Sequence, residues 1–404
     1  MRLLLFDSNL FEAGGEERLV LEHARYLKSR GHEVLVLTVF FDSKALFEKY
    51  TDIPVVALSS SRAPKAMTVS EKIRLTLSVR SRILAWKPDL VLGQLAVDCS
   101  LLYLACFCPK IRYSTHIHGT ILWFPAENTK YSFLHRKTMQ ALRRQCIGHS
   151  QFYPETRRMK SFSAVAKREF DALLQYLGVR KAEKIFTLSN RMAHEITQLY
   201  GKPGVVLKGA YDERIFEHVP RSSLKADLHL EQARVILNVN RLDPRKRVDL
   251  LIRAFAQQEE RLRDTFLVIG GDGREAPRLK ALAKELRLKR IIFLGFVPEE
   301  KLLDYYATCD LFVHPNWADY AISVYEALAT GRKVLCTTEM EFDRELLPYS
   351  QIFTAPPLPE AFARALSVAL EAPNARPIPV ALLKKYTWAA YFSQIENHLT
   401  SAHP

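Results

Sequence analysis

Residues 235–336 constrain this chain more than any other stretch, because three separated segments there repeat one pattern. VILNVNRLDPRKRVDLLIRAFA, FLVIGGDGREAPRLKALAKEL and FVHPNWADYAISVYEALATGRKVLCTT each open with a short apolar run. Each then passes through a loop of Gly, Asp, Arg or Lys and continues as a helical pattern. That order is the βα unit of a doubly wound parallel sheet, whose ligands bind outside the carboxyl ends of the strands. At 404 residues the chain is too long for one ordinary core, so two domains are expected.

The N-terminal end has the same rhythm. Arg2–Phe6 reads as a strand, Asp7–Gly15 as a loop ending in Gly14-Gly15, and about Glu16–Arg30 as a helix. Gly31 suits the position after a helix end, and Glu33–Val39 reads as the next strand. Further strands are expected near Val55–Leu58, Leu90–Gly93, Arg112–Thr115 and Lys184–Leu188, and a second half from about Arg234. Leu90–Cys108 approaches the length of a membrane span, but Gln94 and Asp98 lie inside it. A buried strand and a core helix over about Asp98–Phe107 explain it better. No transmembrane helix and no signal peptide are expected. The six cysteines form no Cys-x-x-Cys pair and read as reduced thiols in a cytoplasmic protein.

Charge is unevenly placed. Residues 1–208 hold 32 Lys and Arg against 18 Asp and Glu, whereas 209–404 hold 26 of each, so the whole net charge of +14 lies in the first half. Gly119–Arg180, with 11 basic and 4 acidic side chains and interleaved aromatics, breaks the βα rhythm and reads as a loop followed by helices. Such a surface suits an anionic membrane, a phosphate-bearing acceptor or nucleic acid. Arg143, Arg144, Arg157 and Arg158 are the candidate acceptor or membrane contacts. Ser70–Trp86 places Ile73, Leu77 and Leu84 beside cations on a helix, a possible membrane stripe. Its local alternation points instead to packing on the first domain's sheet.

In order and content the three segments resemble the donor half of a GT-B fold retaining glycosyltransferase of family 4, glycosyl transferases group 1. The resemblance implies an α/β architecture of two Rossmann-like doubly wound domains facing a cleft. The first spans 1–208, with a closing helix at about 386–400 packing back on it, and the donor domain spans 209–385. It implies an enzyme that moves a sugar from a nucleotide-diphosphate sugar to a lipid-linked or glycan-precursor acceptor, with retention. The family needs no cofactor and no metal. The protein is then cytoplasmic and peripheral at the inner face of the membrane.

The site residues follow by the same resemblance. A departing diphosphate gains negative charge, which preorganised cations and backbone N–H groups stabilise. RLDPRKR resembles the family's phosphate clamp, so Arg241 and Lys246 are expected on the diphosphate, although Asn240 and Arg247 stand where glycines are common. Gly14, Gly15, Gly271, Asp272 and Gly273 are expected near the donor, and Val297 near its base. Ile322 and Ser323 open a helix whose N–H groups suit phosphate, and Glu326 matches the carboxylate that binds the ribose. Eight positions earlier the family has a second glutamate; here stands Ala318, with Asp319 as the expected substitute. His118 matches a histidine at the end of a central strand, with His116 as alternate because alternation puts both on one side. A phosphorylase-like or non-catalytic homologue would keep the same clamp. A basic nucleic-acid-binding protein would explain the charge, but no nucleic-acid motif accompanies it, and none is expected as a partner.

Overall fold

The computed structural model describes residues 1–10, 15–41, 50–59, 68–107, 111–122, 132–146, 161–318, 320–373 and 376–400. The chain divides into two compact units, the first formed by Met1–Gly148, Tyr153–Lys208 and Tyr391–Pro404, the second by His149–Phe152 and Gly209–Ala390.

The first unit contains β1 (Arg2–Leu10), α1 (Gly15–Ser29), β2 (Glu33–Phe41), β3 (Val55–Ser59), α2 (Val69–Trp86), β4 (Leu90–Gly93) and α3 (Asp98–Phe107). It continues with β5 (Tyr113–Ile117), α4 (Arg136–Cys146), α5 (Phe162–Lys181), β6 (Ile185–Thr187), α6 (Asn190–Tyr200) and β7 (Val205–Val206). The strands pair in parallel in the order β3-β2-β1-β4-β5-β6-β7. Central strands buried on both faces are near-continuous apolar runs, as in Leu3–Phe6 and Leu90–Leu92. α5 crosses α3 closely at Gly178, where a Cβ would meet the Cys99 carbonyl oxygen at 2.2 Å.

Several boundaries shift by a residue or two from those expected, and two segments depart further. β1 runs on through Asp7 to Leu10, pairing Asn9 with Phe40 and Leu10 with Phe41, with Asp7 buried inside it and its carboxylate accepting from Asn9 N at 2.9 Å. The Ser70–Trp86 segment is a helix closed by a Thr68/Glu71 capping box. It buries Val79 and Ile83, while the Ile73, Leu77 and Leu84 stripe faces outward. Its alternating sequence is therefore misleading: the inward contact is made by residues four apart, on the opposite side from the stripe.

The second unit contains α7 (Leu224–Asp227), β8 (Arg234–Val239), α8 (Val248–Ala256), β9 (Thr265–Gly270), α9 (Ala276–Glu285), β10 (Ile291–Gly295) and α10 (Glu299–Thr308). Then come β11 (Leu311–His314), α11 (Ile322–Ala329), β12 (Lys333–Thr337), β13 (Ile352–Ala355), α12 (Pro359–Glu371) and α13 (Val380–Leu383). Its six strands are parallel, ordered β10-β9-β8-β11-β12-β13. Leu251 and Phe255 of α8 and Phe362 and Leu366 of α12 pack on Ile236, Leu267 and Val313 in one cluster. Each such side chain contributes about 1.5–3 kcal/mol on burial, which fixes the strand ends from which the site loops leave.

α14 (Trp388–Thr400) closes the chain. Thr387 Oγ1 accepts from Ala390 N at 3.3 Å, the N-cap contact expected of it. From Tyr391 onward the helix belongs to the first unit, where Phe392 stacks on His23 at 4.4 Å and Glu396 accepts from Tyr26 at 3.1 Å. Among the described residues, no helix is long and apolar enough to cross a membrane.

Candidate functional site

In the second unit the loops leaving β8 and β9 are bound to one another through backbone. Asn240 N donates to Gly270 O at 3.1 Å, Leu242 N to Asp272 O at 2.8 Å, and Glu275 N to Leu242 O at 3.1 Å. Gly271 (φ +114°) and Gly273 (φ +154°) permit this approach: a Cβ at Gly271 would sit 1.7 Å from Asn240 O, and one at Gly273 2.4 Å from Leu242 O. The glycine loop thus braces the cationic loop. Val297, beyond β10, lines the same brace, 2.7 Å from where a Cβ on Gly270 would lie.

The cationic loop itself holds Arg241, Arg245 and Lys246 at the carboxyl end of β8. Asp243 caps a short 3-10 turn, Pro244–Lys246, by accepting from Arg245 N at 3.2 Å. Burial, then the neighbouring Arg245 and Arg241 cations, push the Lys246 ammonium down to about 7. Arg247 occupies the left-handed region at φ 47°, the conformation for which glycine is common at this position. Its guanidinium is buried and paired with Glu339, with Nη2 3.2 Å from Oε1. A left-handed residue costs roughly 1–3 kcal/mol, which a buried two-point pair offsets.

Trp317 N donates to Arg245 O at 2.9 Å, tying the loop after β11 to the cationic turn. That loop leads to Ala321, the N-cap of α11, whose side chain satisfies no N–H, so the first-turn amides at Ile322 and Ser323 are open to an anion. Glu326, one turn on, is 4% exposed. Its charge, after burial, raises the Tyr211 phenol. Ala318 is buried, and Asp319 lies outside the described residues.

Sequence reasoning missed His314, the last residue of β11. It is 2% exposed, neither ring nitrogen has a hydrogen-bond partner, and burial, then the Lys246 and Arg245 cations, hold it well below the usual histidine range. Asn238 Oδ1 and Asn316 Oδ1 are likewise buried without partners. The signal was positional, since all three stand at or just past strand ends.

The first unit gathers a second set of groups at its own strand ends. His118 follows β5, with Nε2 3.0 Å from Gln94 Oε1. An amide oxygen only accepts, so Nε2 carries the hydrogen and Nδ1, buried and unpartnered, presents a lone pair. Burial lowers its pKa to about 3, so the ring is neutral. His116 points the same way, its ring 4.0 Å from that of His118, but is fully buried and bound to Tyr391 Oη at 2.6 Å. His118 is therefore the one with a free lone pair. Asp7 and Asp98 sit buried nearby on β1 and α3. Asp7 is raised to about 6 by burial, and Asp98 well above the usual range by burial and the Asp7 carboxylate.

Of the remaining candidates, Gly15 is the exposed first residue of α1. Arg143 and Arg144 lie in the last turn of α4. Gly14, Arg157 and Arg158 lie outside the described residues. The structure thus brings Arg241, Lys246, Gly271, Asp272, Gly273 and Val297 into one bonded set of loops, with Ile322 and Ser323 following from the loop tied to Arg245. Among the described residues no three His, Cys, Asp or Glu side chains are grouped to hold a metal ion.

The brace predicts a separable effect of two positive-φ glycines. Gly271→Ala should cost about 2–4 kcal/mol and displace the cationic loop. Gly331→Ala, at φ +80° with nothing within 4 Å, should cost only about 1 kcal/mol. Thermal melting with and without a nucleotide diphosphate reads both effects. Equal melting losses with ligand response intact in both variants would contradict the brace.

Residues 13–208 match the family described as Glycosyltransferase Family 4, and residues 221–379 the one described as Glycosyl transferases group 1. The chain is 28% identical over 225 residues to the N-acetylgalactosamine-N,N'-diacetylbacillosaminyl-diphospho-undecaprenol 4-alpha-N-acetylgalactosaminyltransferase of Campylobacter jejuni, covering 54% of this chain and 60% of that one. It is 32% identical over 173 residues to the D-inositol 3-phosphate glycosyltransferase of Kribbella flavida, covering 39% and 41%. The chain therefore spans roughly half the length of these curated relatives. Among solved structures, HepE of Anabaena in complex with UDP and glucose superposes with a TM-score of 0.72 at 20% identity, covering 99% of this chain and 100% of that one.

Proposed function

The chain belongs to the GT-B glycosyltransferases of family 4, and we propose that it moves a sugar, with retention, from a nucleotide-diphosphate sugar to a lipid-linked or glycan-precursor acceptor. The observation that carries this is the cationic turn of Arg241 and Lys246, braced by the Gly271–Gly273 loop and tied to the loop before the open N-terminus of α11. Fixed cations and amides that need no rearrangement are what a departing diphosphate requires. By the family resemblance Gly14 and Gly15 offer backbone amides to the diphosphate and Val297 contacts the base, and Asp272 helps hold the cationic loop through its backbone.

Glu326 accepts the ribose hydroxyls. By the family resemblance His118, whose ring is neutral, contacts the transferred sugar. Asp319 supplies the carboxylate that Ala318 does not. The leaving phosphate assists departure on the face where the acceptor hydroxyl arrives, and the reaction uses no cofactor and no metal. The Campylobacter relative acts on a diphospho-undecaprenol carrier; a lipid-linked acceptor here accords with the excess positive charge of residues 1–208. The protein then works from the cytoplasm, at the inner face of the membrane.

Melting the protein against a panel of nucleotide sugars tests this, since a bound donor raises the melting temperature by mass action. A hit followed by transfer to a lipid diphosphate acceptor is expected. A tight donor with neither transfer nor hydrolysis would point to a non-catalytic homologue. Glu326→Gln should weaken nucleoside diphosphate binding by about 1.5–3 kcal/mol, the value of a charge-assisted hydrogen bond. Calorimetry with UDP and GDP reads it, and unchanged affinity would remove Glu326 from the ribose.

A further inference from the structure

Among its described residues the first unit carries several large apolar side chains that face outward. On α2, Ile73 and Leu77 are 56% and 60% exposed; on α5, Phe162 and Phe170 are 89% and 51% exposed, and Leu173 is 42%. Phe133, just before α4, is 61% exposed. Exposed large apolar residues scattered singly need no explanation, but a contiguous set does.

The segments that carry them are tied together. Lys72 of α2 is ion-paired with Asp171 of α5. On the other flank, Glu169 Oε2 accepts from Ser132 Oγ at 2.6 Å and from Phe133 N at 2.9 Å. Glu169 and Asp171 flank Phe170 in sequence, so they leave α5 about 100° to either side of it. One binds the segment before α4, the other binds α2, and Phe170 points out between them. The apolar side chains of three neighbouring segments therefore form one outward face.

Its charge is one-sided. Glu71 is used in its own helix cap, Glu169 is bound to Ser132, Phe133 and Arg168, and Asp171 is paired with Lys72. Arg74, Arg80, Arg82, Arg136, Lys137 and Lys167 form no ion pair with any described residue. On α2 the Arg74 and Arg80 side chains stand on the two sides of the Ile73–Leu77 stripe, as 100° per residue dictates. Apolar side chains rimmed by cations that outnumber the local carboxylates Glu71, Glu169 and Asp171 complement an apolar layer beneath anionic headgroups.

We propose that this face of α2, α5 and the residue-133 segment docks on an anionic lipid bilayer. This replaces the Arg143, Arg144, Arg157 and Arg158 cluster as the principal contact. It deepens the proposal of a lipid-linked acceptor, yet it is measurable without any transfer. Ile73, Leu77, Phe170 and Leu173 enter the headgroup layer, and the cations hold the helices parallel to the surface.

The full chain is sedimented with vesicles of phosphatidylcholine alone and with phosphatidylglycerol added. Binding is expected to the anionic vesicles only and to fall with salt. Leu77→Asp with Phe170→Asp should lower it at least about tenfold, since apolar burial and charge act together. Arg74→Gln, Arg80→Gln and Arg82→Gln together should weaken it and flatten its salt dependence. The Leu77→Ser, Phe170→Ser pair, read beside melting temperature, separates lost docking from lost folding. Equal binding to both vesicle types, or unchanged binding by the aspartate pair, would overturn the proposal. So would a vesicle-free dimer that the pair dissociates, which would make a second copy the occupant. The donor-induced melting shift, measured on the same variants, should persist; its failure would bear on the transfer proposal, not on the docking face.

Discussion

Arg241→Ala and Lys246→Ala should each reduce turnover by about 10²–10³, as removal of other preorganised charge stabilisers does. Both cations stand on a turn whose backbone is fixed from three sides: by Asp272 O and Gly270 O, by Asp243 as cap, and by Trp317 N on Arg245 O. A cation so held needs no reorganisation when charge develops on the leaving diphosphate, which makes it worth more in the transition state than in the ground state. The loss should therefore fall on kcat and, for Lys246, whose charge the bound diphosphate also requires, on donor affinity as well. The neighbouring Arg247→Ala should behave differently. Arg247 is buried and paired with Glu339, so its removal leaves an unpaired carboxylate and lowers the melting temperature. Near-native turnover in both Arg241→Ala and Lys246→Ala would take the donor diphosphate away from this turn.

The parallel sheets and the order of their loops were legible because apolar runs and glycine-rich turns are local signals. β4 and α3 fall at Leu90–Gly93 and Asp98–Phe107, where the sequence puts them. What was not legible depends on partners distant in sequence. Asp7 reads as the start of a loop, yet β1 continues through it with the carboxyl buried, and Asp98, which it affects electrostatically, lies far along the chain. Arg247 reads as a departure from glycine, and only its pairing with Glu339 shows how an arginine is held in a left-handed conformation. The α2 stripe reads as core because apolar periodicity says which residues share a face but not which face is covered. His314 carried no motif, and its place beside Lys246 comes from the β8–β11 pairing together with the Trp317 N to Arg245 O bond.

Donor binding should take up a proton, and its affinity should fall about tenfold for each pH unit above 7. In the unliganded site burial and the Arg245 and Arg241 cations bring Lys246 down to about 7. A diphosphate placed beside it adds negative charge, which favours the ammonium and restores a high pKa. Below pH 7 the lysine is already charged and affinity is flat. Above pH 7 the free site is neutral, so the proton must be acquired on binding, and linkage makes the cost grow with pH. Folding stability follows the opposite sign. A lysine whose pKa is depressed by folding disfavours the folded state at low pH, and that penalty is lifted as pH rises from about 7 toward the unfolded value. Calorimetry of UDP binding at pH 6.5 and at pH 8.5, in buffers of different ionisation enthalpy, counts the proton directly. Uptake approaching one proton is expected at the higher pH and should vanish in Lys246→Met. Equal affinity at both pH values with no uptake would mean that the diphosphate does not approach Lys246.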